Sequence, residues 1–158
     1  MDALHTNIKK LKMFDDKYKG IDNYYQTFID NDTSLKSLVK TLSKSGSKNK
    51  MVQMDVPLTA EYLRNVGYDI PKPDRHICRI LGKGYLSLSS KQPVPQMEAF
   101  DIVRVIADEI EKSYAKVDYI LWSYCADGYG GICASKHPQY EICVAKDYCK
   151  HQCIIQQR

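Results

Sequence analysis

The sequence predicts an all-α protein. Apolar residues recur at helical spacing through most of the chain, the alternating apolar and polar runs of strands are missing, and helix caps and stops punctuate it. With 158 residues, 44% of them hydrophobic, there is enough chain for an adequate core, and we read residues 1–158 as a single helical unit.

The elements follow in order. Ile8, Leu11 and Phe14 mark a first helix, and Tyr24, Tyr25, Phe28 and Ile29 a second. Leu35, Leu38, Val39 and Leu42 mark a third, which Asp32, Thr33 or Ser34 can cap. Ser43 to Lys50, "SKSGSKNK", is a polar, basic loop. Leu58, Ala60, Tyr62, Leu63 and Val66 make a short helix that Gly67 stops. The prolines of "PKP" then force an extended path, because each fixes its own φ and restricts the residue before it. A new helix is expected from Asp74 to about Leu81. After a Gly/Ser-rich loop over 82–92, Pro95 opens what the pattern makes the longest helix, with Met97, Phe100, Ile102, Val103, Ile106 and Ile110 facing inward. "KVDYILWSYC" forms another helix, whose Tyr119, Trp122 and Tyr124 read as core, and a cysteine-rich tail follows.

Composition bounds the function less tightly. The 23 basic residues exceed the 19 acidic ones by four, a surplus that permits a polyanionic partner without requiring one. The opening residues lack the apolar run of a signal peptide, and no segment approaches a membrane span, so a cytoplasmic protein with no membrane partner is expected. In a reducing compartment the six cysteines point to metal binding or burial rather than to disulfides.

Asp74 has two readings. By position it is an N-cap, whose carboxylate accepts orphan amide protons and suits the helix dipole. A second reading comes from the surrounding stretch, "PLTAEYLRNVGYDIPKPDRHICRIL", with Ala60 in the hairpin and the "PDRH" step at Asp74 and His76. The tail "CASKHPQYEICVAKDYC" adds Cys133, Cys143 and Cys149 at the spacing Cys-x6-Cys-x2-Cys-x5-Cys. In that order and over about Val52 to Cys149, these features resemble the helix-hairpin-helix base-excision DNA glycosylases of endonuclease III type.

The resemblance implies an all-α glycosylase-like fold, with a hairpin and catalytic-aspartate segment over 52–82 and a cluster-like tail over 125–153. It implies that Asp74 is catalytic, that the substrate is double-stranded DNA carrying a damaged base, and that the protein acts as a monomer in base-excision repair. Lys48, Lys50, Val56, Leu58, Arg64, Lys72 and Arg75 are the expected DNA-binding positions. Leu58 stands where bifunctional relatives carry the imine-forming lysine, which implies glycosylase activity without strand cleavage. Met54, Asp55 and Val56 stand where the family's hairpin has glycines. The implied cofactor is a [4Fe–4S] cluster on Cys133, Cys143 and Cys149, with Cys125 or Cys153 as a substitute fourth ligand. Tyr140 replaces the second cysteine of the set, which tips the balance slightly toward a tail that folds without metal. About three helices precede the hairpin, fewer than in the family, so a shortened relative or a fragment is expected. Two rival readings remain: a non-catalytic DNA-binding remnant, and a small iron–sulfur protein.

Overall fold

A computed structural model describes residues 2–29 and 35–151. Among these residues there are seven α-helices, two 3-10 turns and no strand, so the all-α expectation holds. No helix among them is long and apolar enough to cross a membrane. The chain divides into two compact units, Met1–Val66 and Gly67–Arg158, and the division falls inside the 52–82 segment.

The first unit is built from α1 (Ala3–Tyr18), α2 (Ile21–Ile29), α3 (Leu35–Ser43) and α4 (Val56–Asn65), each packed on the next. Asp2 caps α1 by accepting the Leu4 N–H. Asp55 caps α4 in the same way at Leu58. The proposed caps of α3, Asp32, Thr33 and Ser34, lie outside the described residues. Phe14 stacks on Tyr24 with ring centroids 4.3 Å apart, and Phe28 meets the same ring edge-on. Offset and edge-to-face pairs of this kind add to the area that the rings bury. The buried hydroxyl of Tyr24 is satisfied by Asn49 Nδ2 at 2.7 Å. Ile8 is an exception to the expected inward face of α1, since 43% of its surface is exposed while Phe14 is buried.

The second unit contains α5 (Arg75–Ile80), α6 (Gln96–Glu109) and α7 (Tyr114–Cys125), followed by 3-10 turns at Tyr140–Ile142 and Lys146–Tyr148. Ile77, Leu81, Val94, Ala99, Val103 and Val117 are buried in one core cluster. The loop after α5 folds back on it: Leu86 N–H donates to the Ile80 carbonyl, and Val94 N–H to that of Cys78. Three expectations are corrected here. The longest described helix is α1, not α6. Ile110 is exposed, because the helix ends at Glu109 and Ile110 turns away as its cap. Tyr119 is on the solvent side of α7, 54% exposed, while Trp122 and Tyr124 are half-buried.

Candidate catalytic and nucleic-acid site

Asp74 sits where the connector meets α5. Its Oδ1 accepts from the N–H of His76 at 2.8 Å and from that of Ile77 at 3.2 Å, so the cap reading is realised. Oδ2 accepts from no described residue. Oδ1 therefore fixes the carboxylate at the helix start, on a half-buried side chain. His76 keeps its ring against the protein, with Nδ1 buried and unpartnered and Nε2 accepting from Arg75 Nε at 3.4 Å. Burial lowers its pKa against the pull of the Asp74 charge, and Arg79 and Arg75 push the same way as burial. A neutral imidazole with an idle buried nitrogen fits a structural role.

The connector is tied to α7 by two carboxylates that the sequence does not single out, one on the helix and one on the connector. The Lys72 N–H donates to Oδ1 of Asp118, a residue only 2% exposed, at 2.9 Å. Asp69, on the connector, accepts from Tyr114 N–H at 3.0 Å and Ala115 N–H at 2.8 Å, and so satisfies the first amides of α7 beside its N-cap Ser113. Both carboxylates are about 45 positions from their partners, so no local pattern reveals them. Beside α5 lies a groove of about 940 Å³ lined by Arg75, Cys78, Arg79, Tyr85, Val94 and His151 among others. Asp74 is not part of its wall.

The tail brings several of its expected ligands near one another, each already engaged. Arg79 donates to the Cys133 carbonyl. The hydrogen bond between Cys125 and Cys133 pulls the Cys133 thiol down, helped by the Arg79 guanidinium and opposed by burial, and pushes the Cys125 thiol up together with burial, against the pull of the same guanidinium. Tyr124 donates its hydroxyl to Cys143 Sγ at 3.2 Å, and burial, then this bond, push the phenol up to about 12. Tyr140 hydrogen-bonds through its hydroxyl to His151 Nδ1, and the His151 ring stacks on Tyr85 at 4.5 Å. Cys78 is buried elsewhere on α5, and burial raises its thiol to about 11. Among the described residues no three metal-binding side chains converge on one point. Three thiols and a tyrosine already bonded to a histidine do not make the four-thiolate set that such a cluster takes. Cys153, the other suggested ligand, lies outside the described residues.

In the first unit the expected DNA contacts divide. Lys48 is exposed, but Lys50 turns its Nζ inward to the carbonyls of Met54 at 2.8 Å and Met51 at 3.4 Å. It is spent on shaping the loop. Lys10 holds the same loop from α1 through the carbonyls of Lys48 and Lys50. Asn7 adds a reciprocal pair with the backbone of Val52. Val56 opens α4 half-buried, Leu58 is half exposed one position past Pro57, and Arg64 lies half-buried near the end of the same helix. In the second unit Lys72 is half-buried and Arg75 is exposed. Comparison of the chain with profiles of known families, with curated proteins and with solved structures finds no match.

Proposed function

We propose that this protein is a monofunctional DNA glycosylase of the helix-hairpin-helix type, which removes a damaged base from duplex DNA as a monomer. The observation that carries the reading is Asp74, a half-buried carboxylate fixed through Oδ1 at a helix start by a doubly anchored connector. Breaking an N-glycosidic bond leaves positive charge on the deoxyribose. A fixed carboxylate stabilises that cation and takes a proton from the attacking water. Water forms the new bond at C1′, the base leaves with the electron pair of the broken bond, and an abasic site remains. The lesion must first leave the stack, which costs a few kcal/mol and least for a damaged or mispaired base. A panel of duplexes, each with one lesion, tests the activity and names the base.

The second reading, a non-catalytic DNA-binding remnant, is favoured by one observation: the groove beside α5 does not reach Asp74. Absence of excision across the panel together with retained duplex binding would select it.

Leu58 supports hydrolysis without strand cleavage. A side chain without an amine cannot form the imine that leads to the lyase step. On a cleavable duplex, borohydride is expected to trap no covalent protein–DNA adduct, while excision leaves an intact strand with an abasic site. An adduct that survives denaturation would show that another lysine reaches C1′.

The tail is read as closing without metal. The hydrogen bonds of Tyr124 to Cys143 and Tyr140 to His151 stand where ligation would otherwise cross-link the segment. Protein purified without oxygen is expected to contain no stoichiometric iron or sulfide, whereas Tyr140→Cys, which restores a fourth thiol, is expected to take up a cluster on reconstitution. Stoichiometric iron and sulfide in the unaltered protein would overturn this, and Cys125→Ser and Cys153→Ser would then find the substitute ligand.

A further inference from the structure

The hairpin of the first unit presents its cations somewhere other than the sequence suggests. A helix N-terminus is the ordinary place for a phosphate, because its N–H groups are unpaired and its dipole is positive. At α4 that place is taken, since the Asp55 carboxylate caps the helix and accepts from Leu58 N–H at 2.9 Å. Lys50, the loop lysine nearest it, is turned into the protein.

Besides the exposed Lys48 of the loop, two exposed lysines lie on the other helix of the hairpin and at its end. A hollow of about 550 Å³ is lined by Ser37, Lys40, Thr41, Lys44, Ser45, Gly46 and Ser47. The first four follow the spacing i, i+3, i+4, i+7 and so share one face of α3 and its end. Lys40 and Lys44 are exposed, neither pairs with a carboxylate among the described residues, and no acidic side chain lines the hollow. The N–H groups of Ser45 and Gly46 donate to no described residue. Gly46 has φ +85°, which turns the backbone with nothing within 4 Å of where a Cβ would sit. A helix C-terminus ordinarily repels anions. Here two of its last four carbonyls are occupied, those of Lys40 and Leu42 by Lys44 N–H and Met51 N–H, and the lysines outweigh what the rest contribute. The residues that line the hollow carry two ammonium groups and four hydroxyls, and none carries a carboxylate.

We propose that this face of α3 is a binding surface for the phosphodiester backbone of duplex DNA, with Lys40 and Lys44 as its charged contacts. The inference rests on DNA as the partner and not on Asp74 as the catalyst. Hydroxyls and amides interleaved with lysines suit phosphate oxygens, which take most of their hydrogen bonds from such groups and confer register without reading sequence.

The test is the salt dependence of binding to an undamaged duplex. Each phosphate neutralised contributes about 0.9 to the slope of log K against log salt. The variant Lys40→Gln/Lys44→Gln is therefore expected to reduce that slope by about 1.8 and to weaken binding roughly 10- to 100-fold at 0.1 M salt. The control Lys9→Gln/Lys12→Gln removes the same charge from exposed positions on α1 and is expected to change much less. A slope unchanged in the first variant, an equal loss in the control, or no duplex binding by the unaltered protein would overturn the proposal. So would lysine dependence seen only with phosphatidylserine vesicles. Failure of the glycosylase reading looks different: no lesion is excised, yet duplex binding still depends on Lys40 and Lys44.

Discussion

On the proposed function, replacing Asp74 by asparagine is expected to abolish base excision while the protein stays folded and bound to DNA. Asparagine caps a helix about as well as aspartate, so the bonds from His76 and Ile77 N–H persist through the amide oxygen. What disappears is the charge beside the sugar cation and the acceptor for the water proton, a contribution of roughly 10²- to 10⁴-fold in rate. Single-turnover excision on a cleavable duplex, with melting temperature and duplex affinity measured on the same preparation, separates the two effects. Asp74→Ala is the useful companion: it loses the charge and also about 1 kcal/mol of cap. Unchanged excision by Asp74→Asn would remove Asp74 from the mechanism.

The largest effect on stability is expected at Ile77, which is fully buried against α6 and α7 and receives the Asp74 cap at its own N–H. Ile77→Ala removes apolar volume from a close-packed site and should cost about 2–5 kcal/mol. Against a total stability of about 5–15 kcal/mol for a typical domain, that moves the urea midpoint far toward zero. Ile77→Val, at about 0.5–1.5 kcal/mol, should remain folded and keep its excision activity. A midpoint unmoved by Ile77→Ala would mean that the α5 core does not govern stability. The two substitutions are three positions apart and opposite in kind, since one changes a charge at an intact helix start and the other takes volume from the core beneath it.

Much of the site could be read from the chain because its determinants are local. Two prolines, an aspartate and a run of apolar residues at helical spacing specify an extended connector, a cap and a helix within a dozen positions. The capped start of α5 and the stop of α4 before Gly67 followed from that. The lysines were less legible. Lys50 and Lys48 share a basic loop, yet one is spent on carbonyls of the loop and the other is exposed. Charge at a position says nothing of which way a flexible four-carbon side chain points. Lys40 and Lys44 read as the polar side of an amphipathic helix, and only the turn at Gly46 makes their surroundings concave.

The sequence by itself determined the helical class, the order of the helices and the cap at Asp74, because each depends on residues within a turn or two of one another. Tertiary structure alone decided what those residues meet. Asp118 and Asp69 clamp the connector, Arg79 reaches the Cys133 carbonyl across more than fifty positions, and Tyr140 finds His151 rather than standing alone. Buried donors and acceptors must be paired, and the partner is chosen by how helices pack, which no local pattern records.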